Sequence, residues 1–179
     1  ARSQVLRHFD QTVAQFVANE MRKKGIYLHE QCALERIEKN GESLNCIVAD
    51  GSVITVDAVM VAAGRTPLTQ GLGLKNTQVV LRDNGTIVVD ERFKTHEPSV
   101  YALGDVIGTP ELTPVALAQA MVFVDQQWGN HSREMSYDAI ATAVFCQPNI
   151  ATVGLSEQTA VEKGLSLDVY VSEFTPMKH

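Results

Sequence analysis

The sequence predicts the α/β fold class, and three observations support that prediction. Residues 100–103 form a short apolar run followed by Gly104, a pattern typical of a buried strand that ends in a sharp turn. Thr113 and Pro114 precede an apolar, alanine-rich segment, as a hydroxyl N-cap and a first-turn proline do at the start of a helix. Residues 59–63 are continuously apolar, which favours a strand buried on both faces of a sheet.

Length and composition narrow the classes of function. The chain has 179 residues, of which 45% are hydrophobic and 20% charged, so a globular protein with one domain or parts of two is expected. A formal net charge of −6 argues against a general surface for nucleic acid or anionic membrane. No apolar run approaches the roughly 20 residues that span a bilayer, and the first residues do not form a signal peptide. We therefore expect a cytoplasmic protein that binds neither nucleic acid nor membrane.

The three cysteines, Cys32, Cys46 and Cys146, are widely spaced and form no CxxC or metal-ligand pattern. Neither a disulfide framework nor a metal site is expected from such spacing. Cys146 lies within an apolar run, so we predict that it is a small buried core residue rather than a nucleophile.

The first helix is predicted to begin after Asp10, whose carboxylate is a good N-cap, and to end at Gly25. Short β-like runs follow over residues 26–63. They are separated by an Asn-Gly pair at 40–41 and an Asp-Gly pair at 50–51, so an antiparallel meander is expected. The core-facing side chains of the helix are predicted to be Val13, Phe16, Val17 and Met21, which share one face at helical spacing.

The second half of the chain carries further turn and helix signals. An Asn-Gly pair at 84–85 predicts another hairpin, and the polar residues 130–136 predict a linker. The remaining expected elements are a strand over residues 141–145 that is broken at Pro148, a short helix capped by Ser156 that stops near Gly164, and a strand over residues 167–174.

Asp105 is the first candidate site residue. It follows the carboxyl end of the predicted strand at 100–103, which is where open α/β sheets bind their ligands. A carboxylate there can accept hydrogen bonds from a bound hydroxyl, such as that of a sugar. The helix that begins near Thr113 would aim its N–H groups and its positive dipole end at the same place, which favours a ligand group with negative charge. An ordinary aspartate in a strand–turn–helix connection remains the alternative.

Residues 100–121, VYALGDVIGTPELTPVALAQAM, resemble the second flavin-binding motif of the pyridine nucleotide–disulfide oxidoreductases. Within that family the wording ELTPVAL is similar to the glutathione reductases. The resemblance implies that Asp105 binds the ribitol of FAD and that Thr113 lies by the pyrimidine end of the isoalloxazine.

A second resemblance lies at AAGR, residues 62–65, followed by Thr66 and Pro67. It is similar to the family's AxGRxPN motif, where the chain leaves the NADPH domain and returns to the flavin domain, although Leu68 replaces the asparagine. In this motif Gly64 would let a ligand approach the backbone, and Arg65 would lie at the end of the strand.

The resemblance also implies an NADP(H) site. In glutathione reductases two arginines before the first helix hold the 2′-phosphate of NADPH; Arg7 matches the second, and Arg2 lies one residue from the position of the first. Two solvated arginines are the alternative. Glu111 and Ala143 fall where the family contacts the nicotinamide, mainly through backbone. Many members bind the disulfide substrate with an arginine where this chain has Met121.

The resemblance covers the whole chain but well under half of a glutathione reductase. It implies three parts: the end of the NAD(P)H-binding domain at 1–65, the end of the FAD-binding domain at 66–136, and the start of the dimerisation domain at 137–179. The expected fold is thus partial Rossmann-like domains plus the start of an α+β interface domain. No catalytic cysteine pair or His-Glu pair has a counterpart, so no catalytic residue is assigned and the chain alone is expected to be inactive.

The parent function implied is an FAD-dependent, NADPH-using disulfide reductase that acts as a homodimer on glutathione disulfide. Dihydrolipoamide dehydrogenase, trypanothione reductase and mercuric reductase share the scaffold and remain alternatives, although Arg7 argues against the first. A further alternative of a different class is a non-catalytic dimerisation or interaction fragment.

Overall fold

The computed structural model describes residues 4–174 and 177 of the chain. The chain divides into two compact units: one comprises Ala1–Met60 with Ala141–His179, and the other comprises Val61–Ile140. Helices and strands both occur, and the predicted α/β class is confirmed. The elements in chain order are α1 (Gln11–Lys23), β1 (Leu34–Asn40), β2 (Ser43–Val48), β3 (Val53–Val56), 3-10 turns at Leu74–Asn76 and Gly104–Ile107, α2 (Thr113–Trp128), β4 (Thr142–Val144), β5 (Ile150–Thr152) and α3 (Glu157–Glu162).

Helix α1 has the predicted ends but only part of the predicted core face. Asp10 is its N-cap and accepts a hydrogen bond from the Thr12 N–H at 2.9 Å, and Gly25 follows the last turn with a φ of 81°. Phe16, predicted to face the core, is 51% exposed. It lies about 200° around the helix from Ala14, which is buried. The buried face consists of Ala14, Val17 and Ala18, while Val13 and Met21 are half-buried.

The antiparallel meander is confirmed. β1 pairs with β2 and β2 pairs with β3, with Asn40 opposite Ser43 at the first turn. Gly41 and Gly51 have φ values of 63° and 84°, the left-handed conformation that hairpin turns need. The sheet buries the end of β2, which contributes Cys46, Ile47 and Val48 to the core.

Two predicted strands are wrong. Residues 59–63 and 167–174 have no strand structure, and Met60 and Tyr170 are each 90% exposed. A strand is defined by its hydrogen bonds to a neighbour, and no described strand lies beside either segment. The run at 100–103 is extended, as predicted, but forms only one isolated bridge, between Tyr101 and Lys94.

The final segment has the predicted order of strand, turn and helix. β4 pairs with β5, and Ser156 caps α3 by accepting a hydrogen bond from the Thr159 N–H at 3.2 Å. Phe145, which follows β4, is 89% exposed. Cys146, predicted to be buried, is only half-buried and donates its thiol to the Pro148 carbonyl at 3.0 Å, because the strand has just one described neighbour to cover it.

The unit Val61–Ile140 has its core beneath α2 and the turn that precedes it. The turn predicted at 84–85 is confirmed, with a single bridge between Leu81 and Ile87. None of the helices that the structure describes is both long and apolar enough to cross a bilayer. The core residues are Ile87, Phe93, Ala102, Ile107 and Val122.

The segment predicted as a linker, residues 130–136, is tied to the end of α2. The Asp125 carboxylate accepts hydrogen bonds from the N–H groups of Asn130 (3.3 Å), Ser132 (2.9 Å) and Arg133 (2.9 Å). The Arg133 N–H is the largest cause that holds the pKa of Asp125 below its ordinary value. These residues therefore form a folded cap on the helix rather than a free connection.

Candidate cofactor site

The turn that presents Asp105 depends on two glycines. Leu103 is extended, and Gly104 then takes a φ of 76°, which an L side chain rarely adopts. The short helix Gly104–Ile107 ends at Gly108, whose φ is 74° and where a Cβ would lie 2.9 Å from Thr86 Cγ2. The two glycines thus fix both ends of the turn, and Asp105 between them is exposed.

Arg82, which the sequence analysis missed, stabilises the same turn through hydrogen bonds. Arg82 Nη1 donates to the carbonyl of Ile107 at 3.0 Å, to the carbonyl of Ile87 at 3.3 Å and to Thr86 Oγ1 at 3.2 Å. One guanidinium thereby joins the hairpin at 84–85 to the end of the short helix. No sequence signal distinguishes Arg82 from a solvated hairpin residue.

Helix α2 begins one residue earlier than predicted. Leu112, not Thr113, is the N-cap: it is extended, and its carbonyl accepts hydrogen bonds from the N–H groups of Val115 (2.9 Å) and Ala116 (3.1 Å). Thr113 is the first helical residue, Pro114 follows it, and no side chain caps the helix. The hydroxyl of Thr113 bonds no residue of the part of the chain that the structure describes, and Thr113 is exposed, so a ligand can reach it.

Four of the predicted site residues meet in one cavity of about 550 Å³: Arg65, Asp105, Glu111 and Thr113. A smaller cavity of about 310 Å³ adjoins it and also includes Arg65, Asp105 and Glu111. The apolar wall consists of Ala116 and Leu117 on the first turns of α2, and Leu117 is 63% exposed.

The four polar side chains of this cavity have no hydrogen-bond or ion-pair partner among the described residues. All four residues are exposed, so their polar groups bond water in the free chain and can exchange that water for a ligand in the cavity. Carboxylates accept hydrogen bonds, the guanidinium donates them, and the Thr113 hydroxyl can do both. The cavity can thus hold a ligand that has hydroxyl groups at one end and an acceptor or anionic edge at the other.

The remaining predicted site residues are distributed differently. Gly64, next to Arg65, has a φ of 122° and open space where a Cβ would lie. Arg7 and Ala143 belong to the other unit and are both exposed; Arg7 Nε donates to His8 Nε2 at 2.9 Å. Arg2 lies outside the described residues.

The sequence analysis also missed Gln119, whose side chain is fully buried in α2. Its Oε1 accepts a hydrogen bond from the Gly104 N–H at 2.6 Å, and its Nε2 donates to Thr109 Oγ1 at 2.8 Å and to Tyr137 Oη at 2.9 Å. A signal existed, since Gln119 is the only polar residue between Thr113 and Asp125. A lone polar residue in an apolar helix face needs buried partners.

Comparison with known proteins gives two family matches. The model of the family described as pyridine nucleotide-disulphide oxidoreductase matches residues 1–120, and the model of that family's dimerisation domain matches residues 140–179.

Three curated relatives illustrate the similarity. The chain is 39% identical to a glutathione reductase of Burkholderia cepacia over 176 residues, covering 98% of this chain and 39% of that protein. It is 38% identical to a trypanothione reductase of Trypanosoma congolense, covering 98% and 36%. It is 35% identical to a glutathione reductase of Nostoc sp., covering 98% and 41%. The chain thus spans about two fifths of the length of these relatives.

A solved structure shares the fold. The HOCl-induced flavoprotein disulfide reductase RclA from Escherichia coli superposes with a TM-score of 0.85 at 27% identity, over 91% of this chain and 38% of that chain. The structure of its Cu(II) complex gives a TM-score of 0.85 as well, over 91% of this chain and 37% of that one.

Proposed function

Because the chain belongs to the pyridine nucleotide-disulphide oxidoreductase family, we propose that the whole protein is an FAD-dependent, NADPH-using disulfide reductase and that this chain supplies part of its flavin site. The use of FAD and NAD(P)H follows from the family. When bound, FAD supplies a carrier that takes two electrons from a nicotinamide and passes them to a disulfide. The residues of this chain bind and orient the cofactors.

The observation that carries the proposal is the cavity shared by Asp105 and Thr113. Its groups fit FAD: the Asp105 carboxylate, which bonds no described residue, would accept hydrogen bonds from the ribitol hydroxyls, and the start of α2 would bind the pyrimidine end. The positive end of the helix dipole favours negative charge at that ring edge, an electrostatic effect of the oxyanion-hole type. Ala116 and Leu117 offer apolar surface for the ring between these two polar ends.

The NADP(H) part of the proposal concerns the arginines before α1 and the residues that the family resemblance assigns to the nicotinamide. Arg7 is exposed, and only its Nε is engaged by a described residue, so its Nη groups are free to bind the 2′-phosphate, together with Arg2. Glu111 and Ala143 would contact the nicotinamide, and Gly64 and Arg65 would line the approach to the flavin. The domain boundaries at 65 and 136 belong to the same proposal.

Glutathione disulfide is the proposed substrate, and the protein acts as a homodimer through the domain that begins near residue 137. A trypanothione-type disulfide is the second candidate, because the trypanothione reductase is only one percentage point less identical than the first glutathione reductase. An arginine at position 121 would attract an acidic substrate. This chain has Met121 there, which is 55% exposed on α2 and gives no such attraction.

We propose that this chain by itself cannot reduce a disulfide. Its three cysteines are free thiols, and Cys46 is buried in β2.

A cytoplasmic location is also proposed, and cell fractionation would test it.

The proposal is tested with the whole purified protein. We expect flavin absorbance from bound FAD, oxidation of NADPH in preference to NADH, and faster turnover with glutathione disulfide than with trypanothione disulfide. The 179-residue chain, assayed beside it, is expected to show no turnover. A whole protein without bound flavin and without NADPH oxidation would contradict the function, whereas faster turnover with trypanothione disulfide would change only the substrate.

A further inference from the structure

Gln119 connects the two polar ends of the proposed flavin site. It lies six residues after Thr113 on α2, about 9 Å along the helix axis, and it bonds the backbone of Gly104 directly before Asp105. The helix that presents its first turn to the ligand therefore also holds the turn that presents the carboxylate. The bond is long-range, since the two residues are 15 positions apart in the sequence.

The orientation of the Gln119 amide is fixed by its partners. The Gly104 N–H can only donate, so the oxygen of the amide must face it. The nitrogen then donates its two hydrogens to the hydroxyl oxygens of Thr109 and Tyr137. With three short bonds and a fully buried side chain, the amide has one arrangement in which every hydrogen is used.

The bond to Gly104 acts on the direction of Asp105. Gly104 takes a left-handed φ, and the hydrogen bond to its N–H fixes the peptide plane at the start of the turn. The opposite end is fixed by the bond from the Gly108 N–H to the Asp105 carbonyl at 3.1 Å. The backbone of Asp105 is thus held on both sides while its carboxylate stays unpaired among the described residues.

We propose that Gln119 is a positioning residue of the flavin site: its amide sets the Gly104 peptide, and hence the direction of the Asp105 carboxylate, while Tyr137 and Thr109 hold the amide in register. This inference rests on the proposed function, because it assigns to Asp105 the role of binding FAD. Removing the amide oxygen leaves a buried N–H unpaired and frees the turn to rotate, so FAD affinity falls even where the protein remains folded.

The test uses the whole protein and three variants. Gln119→Leu removes all three bonds at similar size, and Gln119→Glu keeps an acceptor for Gly104. Val122→Ala, one turn further along α2, removes a buried apolar side chain of the same core and breaks none of the three hydrogen bonds of Gln119. The dissociation constant of FAD and the thermal midpoint of the apoprotein are measured for each variant.

We expect Gln119→Leu to weaken FAD binding by about tenfold, as expected for a lost buried hydrogen bond. Gln119→Glu should restore affinity to within about threefold of the wild type. Val122→Ala should lower the thermal midpoint and leave FAD affinity unchanged. A Gln119→Leu protein that binds FAD like the wild type overturns the inference, and so does a Gln119→Glu protein as weak as Gln119→Leu. A wild type that binds no FAD instead contradicts the proposed function.

Should Gln119→Leu fail to fold, the double variant Thr109→Val with Tyr137→Phe carries the test. It leaves the Gln119 bond to Gly104 possible but removes both groups that orient the amide. We expect FAD affinity to fall below that of the wild type, and by more than in Thr109→Val or Tyr137→Phe alone. Unchanged affinity in the double variant contradicts the proposal.

Discussion

Two aspartates stand beside helices in this chain, and the fold uses them in opposite ways. One carboxylate oxygen of Asp10 accepts a hydrogen bond from the Thr12 N–H at 2.9 Å and the other accepts one from the Glu157 N–H at 3.0 Å, so Asp10 caps the first turns of both α1 and α3. The carboxylate of Asp105 bonds no described residue and opens into a cavity. The comparison teaches that the partners of a carboxylate, and not its place before a helix, separate a structural aspartate from a candidate ligand-binding one.

Backbone N–H groups stabilise the negative charges of Asp10 and Asp125. The pKa of Asp10 lies below its ordinary value, chiefly because the Glu157 N–H bonds the ionised form, with partial burial opposing it. The pKa of Asp125 is lowered in the same way by the N–H groups of Arg133 and Ser132. Both carboxylates are bonded by backbone N–H groups of the fold, whereas Asp105, like Glu111 in the same cavity, bonds no described residue.

The largest expected effect is the loss of FAD affinity when Asp105, but not Asp10, is substituted. Asp105→Ala in the whole protein should weaken FAD binding by about 10- to 100-fold, since it removes charge-assisted hydrogen bonds of about 1.5–3 kcal/mol. The stability of the apoprotein should hardly change, because no described residue bonds the carboxylate. Flavin fluorescence titration and thermal unfolding of the apoprotein measure the two quantities.

Asp105→Asn is the matched variant, since it keeps the shape and loses the charge. It should fall between the wild type and Asp105→Ala in FAD affinity. If Asp105→Ala lowers the thermal midpoint of the apoprotein but leaves FAD affinity intact, Asp105 is a structural aspartate like Asp10, and the comparison fails.

A second prediction concerns the turn that holds Asp105 outward. Gly108→Ala should lower the free energy of unfolding by about 1–3 kcal/mol, because it combines a left-handed φ with a Cβ placed 2.9 Å from Thr86 Cγ2. Urea unfolding of the apoprotein measures it. Gly41→Ala is the control, as Gly41 has a φ of 63° but open space for a Cβ, so only the backbone cost of about 1–2 kcal/mol applies. Equal losses in both variants would mean that the Thr86 contact relaxes without cost.

The sequence predicted the features that a few neighbouring residues determine. The cap at Asp10, the cap at Ser156 and the turns at Gly41 and Gly51 all lie where expected, since each depends on local backbone geometry. The predicted strand at 59–63 failed because strand structure depends on a distant neighbour, and the described residues provide none.

The candidate site was predictable to the same extent. The order of apolar run, Gly-Asp turn and helix brought Asp105 and Thr113 to one cavity, although the helix cap moved to Leu112. The supports of the site were not predictable. Gln119 and Arg82 act on backbone atoms 15 and 25 residues away, and composition does not determine such long-range hydrogen bonds.

A smaller effect is expected at the structural aspartate. Asp10→Ala should lower the free energy of unfolding by about 1–2 kcal/mol, the upper range for a lost N-cap, because one carboxylate serves two helices. Ser156→Ala removes the bonds to the Thr159 N–H and hydroxyl at the start of α3 and should cost about 1 kcal/mol. FAD affinity should be unchanged in both variants. Unfolding by urea checks the order, and a larger loss for Ser156→Ala would show that Asp10 serves only α1.

The smallest expected effect is the pH dependence of the Asp10 contribution. Because the folded-state pKa is lowered, the unfolded chain binds the proton more readily, and the stabilisation is fully present above the ordinary aspartate pKa near pH 4. It is lost as the pH falls from there through the folded-state pKa. The difference in unfolding free energy between the wild type and Asp10→Asn should therefore be constant from about pH 7 to 5 and shrink below about pH 4. Asp83→Asn, at an exposed turn position whose carboxylate bonds no described residue, is the charge-matched control. A difference that stays constant or grows on acidification would show that the Glu157 N–H does not stabilise the ionised carboxylate.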